Sequence, residues 1–213
     1  ERLKRKYLKE ITSEPEIFSA CTDTIVRQVG DIRQMVDEFS TFARMPSPVI
    51  RTENLSNIAK HAVLLQRVAR PDIEFVLTKS DYTIEVACDF TQISQSLINL
   101  LKNSVEAIES HSLNLDHKGI IRVSLGTING EHSITITDNG PGFPQEKMNR
   151  LTEPYVTTRD RGTGLGLAIV SKIMEDHGGT LSLSNGAKGG AVARLIFPDL
   201  KKVKINKTKP LGI

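Results

Sequence analysis

The sequence predicts an α+β fold, a two-layer α/β sandwich preceded by an α-helical hairpin. Two observations carry that reading. A heptad-spaced helical pattern fills residues 13–45, and beyond the proline-punctuated "MPSP" at 45–48 short alternating strands intersperse with amphipathic helices. The expected parts are a partial helical hairpin over 1–48, a mixed α/β domain over 49–200 and a basic, disordered tail over 201–213.

Taken in order, "ERLKRKYLKEI" (1–11) reads as an amphipathic helix followed by a short turn. The next helix opens with Ser13 and Glu16 in capping-box spacing and Pro15 in its first turn. Phe18, Cys21, Ile25, Ile32, Met35, Phe39 and Phe42 then make a seam in which Gln28 alone is polar. Such a seam favours self-association as a dimeric four-helix bundle over packing on the chain's own globular part. After the break the pattern gives a helix over 55–69, strands over 73–78 and 83–88, and a helix over 90–110. Strands over 120–128 and 132–139, a short helix near 145–152, a helix beginning near Leu165, and strands over 180–185 and 191–198 complete an antiparallel-rich sheet covered by helices on one face.

Composition narrows the function classes. A net charge of +3 from 28 basic and 25 acidic side chains, few aromatics and no tryptophan argue against a nucleic-acid partner. Cys21 and Cys88 match no metal spacing and read as buried thiols in a reducing compartment. No apolar run approaches the roughly 20 residues of a membrane helix, so a cytoplasmic chain is expected, with membrane contact only through segments absent from it. Beginning at Glu1 in a helical stretch, the chain reads as a piece of a longer protein.

Three stretches carry chemistry. In "GTGLGLAIV" (162–170) the glycines alternate, which fits neither the dinucleotide fingerprint nor a P-loop. Glycines ahead of a helix N-terminus let backbone N–H groups turn toward phosphate oxygens, although a plain glycine-rich linker has the same composition. In "NLLKNSVEAI" (99–108), Asn99, Lys102, Asn103 and Glu106 share one helical face, and two amides one turn apart are unusual there. In "DNGPGF" (138–143), a turn after a strand, Asp138 can accept a hydrogen bond while Gly140 and Gly142 permit close approach to a flat ligand; ordinary turn chemistry also accounts for it.

Together and in this order, with "EPYVTTRDR" (153–161) between the last two, these stretches resemble the N, G1, lid and G2 boxes of the GHKL superfamily of gyrase B, heat-shock chaperones, histidine kinases and MutL. The resemblance covers about 50–198. The preceding hairpin points within it to sensor histidine kinases, and "RQVGDIRQMVDEFSTFARMPSPV" with "EPYVTTRDRGTGLGLAIV" is similar to the NtrY-type nitrogen-regulation kinases.

The resemblance implies ATP and Mg²⁺ as ligands. Asp138 would accept the adenine amino group beside Gly140 and Gly142, Asn103 would ligate Mg²⁺, and Asn99 would support it. Gly162, Thr163, Gly164, Leu165 and Gly166 would wrap the phosphates, with Leu167 opening the helix behind them. Lys102, Thr158 and Arg159 are further candidate contacts. Glu106 stands where many sensor kinases carry a basic residue, which shifts weight to Arg159.

The superfamily's ATPases place a glutamate one turn before the metal asparagine to activate water; here that position is Asn99, an amide that cannot take the proton. Phosphoryl transfer to a histidine needs mainly positioning and charge stabilisation. None of His61, His111, His117, His132 and His177 has the acceptor's sequence context, and His177 reads as a helix C-terminal residue favoured by the dipole. The expectation is a kinase part that binds Mg²⁺-ATP without phosphorylating itself, its acceptor histidine cut away, with an NtrX-like response regulator as partner and a homodimer formed through the hairpin. A conformational ATPase and a non-catalytic scaffold are the alternatives.

Overall fold

The computed structural model describes residues 2–8, 13–78, 83–112, 118–128, 130–157 and 162–199. The tail at 201–213, expected to fray, lies outside them. The chain separates into two compact units, residues 1–45 with 159–163, and residues 46–158 with 164–213.

The first unit contains helices α1 (Arg2–Tyr7) and α2 (Pro15–Ala43). Pro15 sits at the start of α2, which makes Glu14 the N-cap, in a left-handed conformation (φ 51°) and with no side-chain cap. The expected Ser13–Glu16 capping box therefore does not form: Pro15 takes the first helical position and leaves Ser13 one residue too early. The seam residues Ile25, Ile32, Met35 and Phe39 are exposed. Cys21 is exposed with them, against the expectation of a buried thiol, whereas Cys88 is buried.

The second unit begins with β1 (Arg51–Asn54) and α3 (Leu55–Ala69), capped where the Asn54 side chain accepts the Ser56 N–H at 2.9 Å. It continues through β2 (Glu74–Thr78), β3 (Glu85–Cys88), α4 (Phe90–Ser112), β4 (Ile120–Ile128), β5 (Glu131–Asp138), a 3₁₀ turn (Gln145–Arg150), α5 (Gly166–Asp176), β6 (Thr180–Asn185) and β7 (Ala191–Phe197). Five strands pair in the order β2-β4-β5-β7-β6, and β2 runs parallel to β4 while the other neighbours are antiparallel. The short β1 pairs only with β3, so "TIEVAC" belongs to a separate two-stranded sheet.

Helices α3, α4 and α5 form one layer over the five-stranded sheet. Along β7, buried and half-buried residues alternate, as expected of a strand with one face on a helical layer. Its register sets Leu195 opposite Ile134 and Ala193 opposite Ile136. With Ile121, Leu97, Leu101, Leu165 and Ile173 these residues form the core. Among the described residues no helix is long and apolar enough to cross a membrane.

Candidate functional site

Asp89, the residue before α4, caps it: its Oδ1 accepts the Thr91 and Gln92 N–H groups at 2.9 and 3.2 Å. Its own N–H donates to His177 Nε2 at 3.0 Å, and Nδ1 of that ring lies 2.7 Å from the Ile173 carbonyl. A backbone N–H only donates and a carbonyl only accepts, so the ring hydrogen sits on Nδ1. His177 is thus a buried cross-link from the end of α5 to the start of α4, more than the dipole-favoured helix C-terminal residue that the sequence suggested.

At the other end of the pair, a side-chain carbon placed on Gly166 would lie 3.8 Å from Asn103 Nδ2. The helices are therefore antiparallel, and Asn103 faces the N-terminus of α5. One turn further along α4, about 6 Å of rise, Ala107 packs against Gly140 at 3.4 Å from the corresponding position. A single helical turn thereby connects the glycine segment with the turn after β5.

That turn is fixed on both sides. Asp138 is 9% exposed, and its Oδ1 accepts the Gly140 and Ala191 N–H groups, both at 3.0 Å. Oδ2 accepts no hydrogen bond among the described residues. The Asn185 amide clamps Phe143, accepting its N–H at 2.7 Å and donating to its carbonyl at 2.8 Å. Gly142 (φ 80°) lies so close to Asn185 that a side chain there would stand 2.7 Å from its Oδ1.

The glycine segment is equally confined. Gly164 (φ 70°) accepts the Tyr155 N–H at 3.1 Å, and a side chain on it would meet the Tyr155 backbone at 2.6 Å. Tyr155 itself is left-handed, at φ 66°. Leu165 is fully buried, which leaves its backbone for any ligand role; Gly166 and Leu167 open α5.

The structure therefore brings Asn103 to Gly166, and Asp138 to Gly140. Asn99 and Asn103 are half-buried, while Lys102 and Glu106 are exposed. Gly162 and Thr163 fall in the first unit, where the Thr163 hydroxyl donates to Glu38. Thr158 and Arg159 lie outside the described residues. Asn185, His177 and Ala191 are the structural supports that sequence reasoning did not find. Among the described residues no cluster of three or more His, Cys, Asp or Glu side chains could cage a metal. The Asn103 amide fits a cation that draws its remaining oxygens from phosphates and water. Nearby Cys88 is inert: burial first, then the charges of Glu53 and Asp89, push its thiol up to about 12.

The fold is an α/β sandwich in which a helix-borne amide, Asn103, lies beside Gly166 and a buried carboxylate, Asp138, sits in the turn after β5. The chain belongs to the histidine kinase-, DNA gyrase B- and HSP90-like ATPase family, whose model matches residues 88–201. The nitrogen regulation protein NtrY of Azorhizobium caulinodans is 51% identical over 196 residues, 92% of this chain and 25% of that protein. A putative NtrY-like sensor histidine kinase of Rickettsia felis is 38% identical over 205 residues, 96% of this chain and 33% of the relative. The chain thus spans about a quarter to a third of the length of these curated relatives. The solved catalytic domain of histidine kinase ThkA superposes with a TM-score of 0.60 at 29% identity, over 70% of this chain and 95% of that one. ThkA in complex with the response regulator TrrA, 23% identical, shares the fold with a TM-score of 0.71 over 92% of this chain and 56% of that one.

Proposed function

We propose that this chain is the ATP-binding catalytic part of an NtrY-type sensor histidine kinase, passing the γ-phosphoryl group of ATP to a histidine and thence to an aspartate of a response regulator. The observation that carries the reading is Asp138, whose Oδ1 is used by the Gly140 and Ala191 N–H groups while Oδ2 faces no protein donor among the described residues. An adenine amino group is the complementary donor. Asn103, supported by Asn99, would hold Mg²⁺, which neutralises phosphate charge when bound. The backbone from Gly162 to Gly166 would receive the phosphates, with Lys102, Thr158 and Arg159 as further contacts. Asn99 offers no base for water, which favours transfer over hydrolysis.

The acceptor is a histidine other than the five in this sequence. His177 is buried and bonded on both ring nitrogens, and His132 Nδ1 is paired with Thr127. The heptad seam of α2 supports a dimerising hairpin over 1–48, and relatives named for nitrogen regulation support an NtrX-like partner and an inner-membrane anchor elsewhere in the protein. Incubation with γ-labelled ATP tests the assignment: neither stable label on the 213 residues nor rapid phosphate release is expected. Rapid release would instead identify a conformational ATPase, and stable label would place the acceptor within the chain.

A further inference from the structure

The five-stranded sheet ends on β2 at one side and on β6 at the other. The β2 edge opens on a charge, Glu74, paired with Lys118 at 3.0 Å. The β6 edge, "TLSLSN", has no charge and no proline, and its unbroken register with β7 leaves no bulge to turn it away. Charge, proline and bulges are the devices that keep a sheet edge from pairing.

The ladder decides which main-chain groups that edge offers. Just past β6 the Gly186 N–H donates to the Gly190 carbonyl at 3.0 Å, while the N–H of Ala191, opposite Asn185, turns the other way to Asp138. Successive residues of a strand alternate in direction, so Thr180, Ser182 and Ser184 bond β7, and Leu181, Leu183 and Asn185 point their N–H and C=O groups outward. Among the described residues no hydrogen bond engages these outward groups. The side chains divide as well. Thr180, Ser182 and Ser184 are exposed on the open face of the sheet, and Leu181 and Leu183 are half-buried on the helical side.

This strand is its own complement. Directly opposed residues of an antiparallel pair share a face. A two-fold axis at Ser182 therefore sets Leu181 of each copy against Leu183 of the other, outward residues that exchange both main-chain hydrogen bonds. Ser182 then meets Ser182, and Thr180 meets Ser184, on the open face. An axis at Leu183 would instead oppose Leu181 to the Asn185 amide, which already clamps Phe143.

We propose that β6 is a docking edge for β6 of a second copy of this chain, joining two five-stranded sheets into one through the register centred on Ser182. The contact is smaller than the roughly 1,000 Å² of a stable interface, so the dimer is weak and fills where copies are concentrated or tethered. It stands on β6 alone, whether or not the chain is a kinase.

Disulfide trapping tests it, in the whole chain with the exposed Cys21 replaced by serine; Cys88 is buried. The two Ser182 residues form a non-hydrogen-bonded pair with Cα atoms about 4.5 Å apart, within disulfide reach. The two Ser184 residues are offset by about 13 Å along the strands. Ser182→Cys is expected to cross-link at least about tenfold faster than Ser184→Cys under the same mild oxidant. Adding Thr180→Lys and Ser184→Lys to Ser182→Cys opposes like charges on exposed positions and is expected to slow cross-linking to the Ser184→Cys rate. Thr180→Glu with Ser184→Lys is expected to restore it. Equal rates for the two cysteines, or a Ser182→Cys rate indifferent to the lysines, would overturn the proposal. So would no cross-link at either position, and slow exchange of the Leu181 and Leu183 amides at every dilution would then mark another segment of the chain as the occupant.

Discussion

Asp138 spends one carboxylate oxygen on the protein, and the proposed function gives the other to the adenine. Two backbone N–H groups hold Oδ1, so replacement by asparagine preserves that anchoring while setting an amide against the adenine amino group. Asp138→Asn is expected to weaken nucleotide binding by about 1.5–3 kcal/mol, on the order of tenfold to a hundredfold, in a titration with a fluorescent ATP analogue. Unchanged affinity would place the adenine elsewhere. At this scale the sequence was informative where chemistry is local. Paired asparagines one turn apart and an Asp-Asn-Gly turn announce themselves, and the structure sets Asn103 one helical turn from Ala107, which packs against Gly140 in the turn after Asp138. Asn185 had no such signal: its partner Phe143 is 42 residues away, and nothing in "SLSNG" marks a turn clamp. The exposure of Cys21 was likewise misread, because a heptad seam shows which residues want burial and not whether this chain supplies the cover.

Among the elements, α4 is the organiser. Its N-terminus binds Pro46, Val49 and the end of α5, and its later turns carry Asn103 and Ala107. Burial alone would push the Asp89 carboxyl up, but hydrogen bonds from the Val49, Gln92 and Thr91 N–H groups, with the nearby His177, outweigh it and hold the pKa below the usual carboxylate value. A depressed carboxyl contributes stability that is fully present above the unfolded pKa, about 3.9, and is lost as pH falls through the lower folded value. Thermal melts of the unsubstituted chain and Asp89→Asn should differ by a constant amount above about pH 5 and converge below about pH 4. A gap independent of pH would show that the charge has no part in the cap. Period and length made α3 and β6 legible at their observed limits, 55–69 and 180–185. Strand direction was not legible, since alternation is the same in parallel and antiparallel pairs, so the parallel β2–β4 contact escaped. β1, "RTEN", has neither alternation nor β-branched density and exists by pairing with β3.

For the molecule as a whole, the α/β sandwich was readable because helical and strand periods alternate cleanly beyond residue 48, and the family assignment agrees with it. The choice between kinase and ATPase turns on what the site does with a bound nucleotide, so binding comes first. The most direct measurement is calorimetric titration of the chain with a non-hydrolysable ATP analogue, with and without Mg²⁺, repeated on Asn103→Ala. The account predicts one site per chain, tighter with Mg²⁺, with the metal dependence lost and metal-free binding retained in the variant. Absence of binding in both buffers, or the same magnesium dependence in Asn103→Ala, would contradict it.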